Sequence, residues 1–198
     1  MVASAWGSAI EQSRVSASSS SKVELEAKLG RQVEGRFLSS VSEGEFLAVE
    51  KRLQNAFSWL ALPERVTTDC MAQNDMRLSF DAENLLTGAM IKKRISNATA
   101  LLGSTLALRL SLSLETNAAL PAGCAIGMPR AQIGVAVSLV RRKARRTFLH
   151  RSSRGVFQID MTRVETEGAS DVSLEVELEF MPWALQPHVT EHDRRVWS

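Results

Sequence analysis

Two short runs of alternating charge carry the chemistry of this chain. Val172 to Phe180 reads V-S-L-E-V-E-L-E-F. On an extended strand, where side chains alternate with period 2, this puts Glu175, Glu177 and Glu179 on one face and Leu174, Val176, Leu178 and Phe180 on the other. Val140 to Leu149 does the same with opposite sign: Arg141, Lys143 and Arg145 share a face that ends at Thr147, while Arg142 and Arg146 point the other way. A single charged strand face ordinarily meets solvent. Three aligned glutamates, however, repel one another unless a cation sits among them, and three aligned cations call for anions. A sheet bearing both can satisfy them by curling until the charged faces look inward. The result is a polar tunnel with one acidic and one basic wall. Carboxylate oxygens suit a divalent metal, and arginines bind phosphate bidentately. A metal and cations gripping a phosphate chain is the arrangement that phosphoryl hydrolysis requires.

Other motifs carry less. Cys124 to Arg130 spells C-x5-R, the cysteine-phosphatase signature. That chemistry needs a thiolate at a strand end and a phosphate loop running into a helix. Here Gly123 precedes the cysteine, no apolar strand leads in, and Pro129 stiffens the loop, so the match reads as coincidence. His188 to His192 spells H-x-x-E-H, which some zinc proteases use, but it follows Pro187 with little chain left to build a site. His150 reads as structural or exposed, and Trp183 and Trp197 as packing or partner contacts. No Walker A sequence is present.

The elements that must position the charges are mostly strands. Val23 to Leu29 alternates apolar and charged residues, as a strand would, yet its residue types suit a helix and Glu24 with Lys28 would form an i,i+4 pair; Gly30 is read as its end. A helix is predicted over Glu43 to Leu60, with Phe46, Val49, Leu53, Phe57 and Leu60 as one apolar stripe, Ser42 and Glu45 as a capping box, and Pro63 beyond the end. Strands follow at Met76 to Phe80, Gly88 to Ser96, Leu106 to Leu114, Gln132 to Leu149, Val156 to Val164 and Val172 to Phe180, with an Ala-, Gly- and Pro-rich loop from Thr116 to Arg130. Leu106, Leu108, Leu110, Leu112 and Leu114 share a face opposite Arg109, Ser111, Ser113 and Glu115. Many strands with one clear helix suggest an antiparallel sheet or barrel with helical packing outside.

Composition sets wide bounds. The chain has 198 residues, 44% of them apolar and 23% charged, enough for one globular domain. No apolar run is long enough to span a bilayer, so no membrane association is expected. A formal net charge of +2 makes the whole chain a weak attractor of nucleic acid, so anion binding must come from local clustering. Cys70 and Cys124 are too few for a disulfide scaffold and fit a reducing compartment. The Ala- and Ser-rich stretch from residue 1 to 21 reads as a flexible segment, and residues 22–198 as a single catalytic domain.

Taken together, these pieces resemble a known family. E-L-E-A-K-L-G at Glu24 to Gly30 and E-V-E-L-E-F at Glu175 to Phe180 resemble the first and last glutamate motifs of the fungal and protozoal RNA triphosphatases, which are triphosphate tunnel metalloenzymes. Between them, R-L-S-F-D from Arg77, I-K-K-R-I-S from Ile91, R-L-S-L-S-L-E from Arg109, R-R-K-A-R-R-T from Arg141 and Q-I-D-M-T-R-V from Gln158 follow in the family's order. The resemblance covers about Val23 to Phe180. It implies a mainly β (α+β) fold, an antiparallel eight-stranded barrel with a charged interior and helices outside, and it makes Val23 to Leu29 a strand. It further implies removal of the γ-phosphate from 5′-triphosphate RNA for cap addition, with side activity on nucleoside triphosphates, in the nucleus and beside an RNA guanylyltransferase. By the same resemblance Glu24, Glu26 and Glu179 would ligate Mg²⁺ or Mn²⁺. Glu177 would support the metal through water and Glu175 would hold basic side chains. Glu115 would orient or activate the attacking water. Arg77, Lys93, Lys143 and Arg145 would bind the triphosphate, with Arg141 and Lys28 close by, and Asp160, Thr162 and Arg109 would support the basic wall. Gln158 stands where the family pattern has arginine, so its role is open. The competing readings are a tunnel enzyme acting on inorganic or thiamine triphosphate, and a non-catalytic polyphosphate- or RNA-binding module.

Overall fold

The structure is a computed structural model that describes the backbone of residues 21–152 and 155–182, and side chains over 21–151 and 156–180. The first twenty residues, the His188–His192 motif, Trp183 and Trp197 lie outside the described residues. In chain order the elements are β1 (Ser21–Val33), β2 (Arg36–Leu38), helix α1 (Glu43–Gln54), β3 (Leu60–Ala61), β4 (Arg65–Ala72), β5 (Met76–Phe80), β6 (Leu86–Leu101), β7 (Leu106–Asn117), β8 (Val137–Ser152), β9 (Gly155–Thr166) and β10 (Ser173–Pro182).

Eight of these strands close on themselves. The antiparallel neighbours run β10, β9, β8, β4, β5, β6, β7, β1, and β1 pairs again with β10. β2 hangs from the end of β1, and β3 from β8. The barrel is inside out relative to an ordinary one, as the alternating charge requires. One apolar cluster lies against its outer surface, where Phe148, Met161, Leu174 and Val176 meet Phe46 and Leu53 of α1. A second forms outside β4 to β6, where Cys70, Leu78, Phe80 and Leu86 are packed by Leu120, Cys124 and Ile133 of the long loop after β7. The predicted C-x5-R loop therefore serves as a lid on that cluster. The three-residue 3₁₀ turn that follows it, Arg130–Gln132, is no phosphate-binding helix.

Several boundaries differ from expectation for physical reasons. The capping box forms as predicted, with Ser42 and Glu45 exchanging hydrogen bonds. The helix nevertheless ends at Gln54, because Leu60 and Ala61 are drawn into pairing with Leu149 and Phe148 of β8. Phe57 consequently leaves the predicted stripe and is fully exposed, while Trp59 takes the packing position. β1 does not end at Gly30. It runs to Val33 and turns back through Glu34 and Gly35, both at positive φ, into β2. Gly30 marks close approach instead, since a side chain there would collide with the Leu38 carbonyl and the Phe37 ring. β4 was not anticipated, and β8 begins at Val137 rather than Gln132.

Candidate active site

Register partners in an antiparallel pair project to the same side. Glu26 opposes Glu179 and Ser111, and Lys28 opposes Glu177 and Arg109. Glu177 opposes Asp160, Glu175 opposes Thr162, and Thr162 opposes Arg145. Lys143 opposes Thr67 on β4, Asp69 opposes Arg141 and Ser79, and Arg77 opposes Met90. Ion pairs between strands that are not neighbours prove that this shared side is the lumen. Lys92 of β6 reaches across β7 to Glu24 and to Glu26, the latter at 3.1 Å. Arg141 of β8 reaches across β9 to Glu175 at 2.6 Å. Arg77 of β5 reaches across β6 to Glu115 at 3.5 Å.

The lumen is thus a lattice of opposed charge. Lys28 contacts Glu177, and lies 3.6 Å from Glu26 and 3.8 Å from Glu175. Lys143 is paired to Asp69 at 2.6 Å, and Ser79 donates to the same carboxylate at 2.9 Å. Asp160 takes Arg145 at 3.2 Å, Thr147 at 2.6 Å and Gln158 at 3.0 Å. Gln158 therefore acts as an uncharged brace for Asp160. Lys22 holds Glu179 at 2.6 Å. The hydroxyls of Ser111, Ser113 and Thr162 and Nε of Arg109 are buried without a protein hydrogen-bond partner, as expected where polar wall atoms await solvent or ligand oxygens.

Burial and neighbours pull these groups apart. Burial raises the Glu177 carboxyl, but Lys28, Arg145 and Lys143 outweigh that and hold it below the usual carboxylate range. Asp69 is likewise held low by Lys143 and Arg77 against its burial. Glu24 is pushed up, chiefly by burial and then by Glu115 and Glu26, despite Lys92. Burial lowers Lys28 and Lys92, yet the surrounding glutamates leave both raised. Lys143 goes the other way. Burial, with Arg141 and Arg77 nearby, lowers it in spite of Asp69.

All but one of the residues expected in the site face the lumen. Lys93 does not: it opposes Leu114 on the outer face and is exposed, while Lys92 opposes Glu115 inside. A one-residue change of parity turns the side chain to the other side of the sheet. The phosphate-binding expectation thus moves from Lys93 to Lys92. Lys22, Asp69, Ser79 and Arg94 were not anticipated at all. Asp69 was hidden because R-V-T-T-D-C-M-A shows no apolar alternation, and Lys22 because it adjoins the serine-rich run.

The donors for a metal fit in kind. Glu24, Glu26 and Glu179 offer only carboxylate oxygen, which suits a hard divalent cation such as Mg²⁺ or Mn²⁺. Glu26 and Glu179 are direct register partners and Glu24 is on the same face, so the backbone sets all three on one wall of the lumen. Lys92 and Lys22 engage these carboxylates here, and among the described residues no three acidic side chains converge on one point.

Comparison with known proteins agrees with this geometry. No curated protein matches the chain significantly. Among solved structures, the RNA triphosphatase Pct1 of S. pombe superimposes with a TM-score of 0.63 at 21% identity, over 80% of this chain and 70% of that one. The same protein in complex with the Spt5 CTD gives a TM-score of 0.65 at 20% identity, over 88% and 81% of the two chains. At such identities the likeness speaks for the fold, a triphosphate tunnel. The model of the mRNA triphosphatase family, described as the mRNA capping enzyme beta chain, matches residues 64–195. The chain therefore belongs to the mRNA capping enzyme beta-chain family of mRNA triphosphatases.

Proposed function

We propose that the tunnel removes the γ-phosphate of 5′-triphosphate RNA, leaving a 5′-diphosphate end ready for cap addition, with a divalent cation held by Glu24, Glu26 and Glu179. The observation that carries this reading is the cross-lumen network. Arg77, Lys92, Arg141, Lys143 and Arg145 converge inside a closed barrel whose other wall is carboxylate. An anionic chain entering the lumen would exchange with those carboxylates for the cations. Arg77, Lys143 and Arg145 would bind phosphate oxygens, and Arg141 and Lys28 would adjust to them. Glu115, which lies 3.5 Å from Arg77, would orient a water and accept its proton. The water oxygen bonds to the γ-phosphorus as the bond to the β-bridging oxygen breaks, and the electron pair leaves on the RNA 5′-diphosphate. Glu177 and Glu175 keep Lys28 and Arg141 in place, and Asp160, braced by Gln158, keeps Arg145, which has Thr162 as its register partner on β9. A bound dication would supply Lewis-acid polarisation of the γ-phosphate and offset its developing charge. Free nucleoside triphosphates share the gripped group and would be hydrolysed as side substrates.

On this reading the protein would act beside an RNA guanylyltransferase, in the nucleus. Among the described residues no helix is long and apolar enough to cross a membrane. Phosphate release from γ-labelled triphosphate RNA, compared with ATP and inorganic triphosphate, tests the assignment. Preference for inorganic triphosphate over RNA would transfer the chain to the inorganic tunnel enzymes.

A further inference from the structure

We propose that the RNA chain leaves the tunnel at the end marked by Arg94 and Arg109, and that these two guanidiniums bind the phosphodiester adjoining the 5′-triphosphate. The inference rests on the triphosphatase reading and adds a direction and a contact to it.

The first argument is unbalanced charge. Nearly every lumen cation among the described residues has a carboxylate within ion-pair distance. Arg94 and Arg109 face the same lumen, opposite Ser113 and Thr99, and have none. Burial, and after it Arg94, lower Arg109 in spite of the pull of Glu26, Glu175 and Glu177, none of which comes within ion-pair distance of it. A further unmatched cation, Arg65, begins β4 at the other end of the barrel, alongside the start of β1 and its glutamates.

The second argument is unmet hydrogen bonding. Ser111 is 4% exposed and Ser113 is 1% exposed, and both hydroxyls lie on the lumen face of β7 without a partner. Arg109 Nε is buried and equally unpartnered, although its guanidinium is held 4.3 Å over the Phe37 ring. Two cations plus fixed buried donors form an anion site, and Arg94, being exposed, opens it to the outside.

The third argument is direction. Displacement at phosphorus puts the attacking water and the leaving oxygen in line on opposite sides. Glu115 stands near one end of β7 and Arg109 six residues along the same face, about 20 Å away at strand spacing. With the water at Glu115, the leaving diphosphate and the RNA behind it point toward Arg109. With two unmatched guanidiniums at that end against Arg65 alone at the other among the described residues, the balance of charge would also steer a polyanion to it.

The test uses a short 5′-triphosphate RNA oligonucleotide and inorganic triphosphate with wild type, R94A, R94K and R109K. Salt-dependent binding of the 5′-diphosphate oligonucleotide is measured in parallel by fluorescence anisotropy. Expected for R94A is a fall in kcat/KM at least tenfold greater on the oligonucleotide than on inorganic triphosphate. The slope of log binding constant against log salt should become shallower by about 0.7, one single-strand phosphate contact. R94K should restore the slope. Equal losses on both substrates would place Arg94 on the triphosphate itself and overturn the proposal, as would an unchanged salt slope. A wild-type protein that releases no phosphate from the oligonucleotide would overturn the triphosphatase reading instead. The anisotropy slope needs no turnover and would still decide the arginine contact.

Discussion

Replacing Asp69 with Asn is the sharpest probe of the inverted barrel. Asp69 and Lys143 are 8% and 7% exposed and 2.6 Å apart. Asn keeps an acceptor for Ser79 but removes the charge facing Lys143, leaving a buried ammonium beside Arg141 and Arg77. Breaking a buried pair from one side typically costs 3–5 kcal/mol. The pair lines a lumen that water can enter, so the lower value, about 3 kcal/mol, applies. For a domain of this size that lowers Tm by roughly 6–12 °C. Removing both charges with D69N/K143M should return most of the stability, because no unpaired ion remains. Asp69 is a positioning residue, so D69N should reduce kcat/KM in the wild-type background and have little further effect on K143M. Thermal melts followed by circular dichroism, together with phosphate release, complete the double-mutant cycle. Melting of D69N within about 2 °C of wild type, or additive losses in the double variant, would refute the coupled pair.

Two further outcomes follow from the same lattice. Because Lys143 is held below the ordinary lysine value, about 10.4, it loses its proton before Lys28 and Lys92 as pH rises. Phosphate release should therefore show an alkaline limb below that value, and K143R, charged throughout, should shift the limb upward. The sign for stability is opposite: between its folded and unfolded pKa the unfolded state binds more protons, so this group makes folding stronger as activity falls. A limb unmoved in K143R would assign it elsewhere. K92A should cost about 10²-fold in kcat, the scale of a lost transition-state donor, whereas outer-face K93A should stay within about twofold. Equal effects of the two would contradict the strand parity.

The sequence displayed the fold wherever one strand carried its whole pattern alone. β10 shows Glu175, Glu177 and Glu179 against Leu174, Val176 and Leu178, and both its faces match the structure. β7 is as clear, with five leucines against Arg109 to Glu115. β6 is not. Met90, Ile91, Lys92, Lys93 and Arg94 show no clean alternation, and the register shifts between Arg94 and Ser96. Parity there is set by the neighbours on β5 and β7, so choosing between Lys92 and Lys93 needed the assembled barrel. β4 stayed hidden because its outer face buries Thr68 and Cys70, which look unlike an apolar stripe. The helix end was invisible for a similar reason. Phe57 and Leu60 continue the 3.6-residue period, but pairing of Leu60 with Leu149 on β8 overrides it.

The lattice also argues that metal and substrate bind together. Each carboxylate in the lumen already has a cation: Glu24 and Glu26 share Lys92, Glu179 has Lys22, Glu175 has Arg141, and Asp160 has Arg145. A triphosphate must take cations from those carboxylates, which then face its own negative charge without relief. Occupation of Glu24, Glu26 and Glu179 by a divalent cation removes that conflict, and it also frees Lys22 and Lys92 for phosphate oxygens. The two ligands should therefore show positive coupling, of the common 5- to 150-fold size, and each should tighten the other by the same factor. Titration calorimetry of inorganic triphosphate, with Mn²⁺ and in chelator, measures it. Complexation of Mn²⁺ by free triphosphate is separated from coupling on the protein by repeating the titration with E179Q, which should lose most of the enhancement while remaining folded. Triphosphate binding as tight in chelator as in Mn²⁺ would show that the lysines alone balance the site. An enhancement retained in E179Q would place the cation away from the β1–β10 seam.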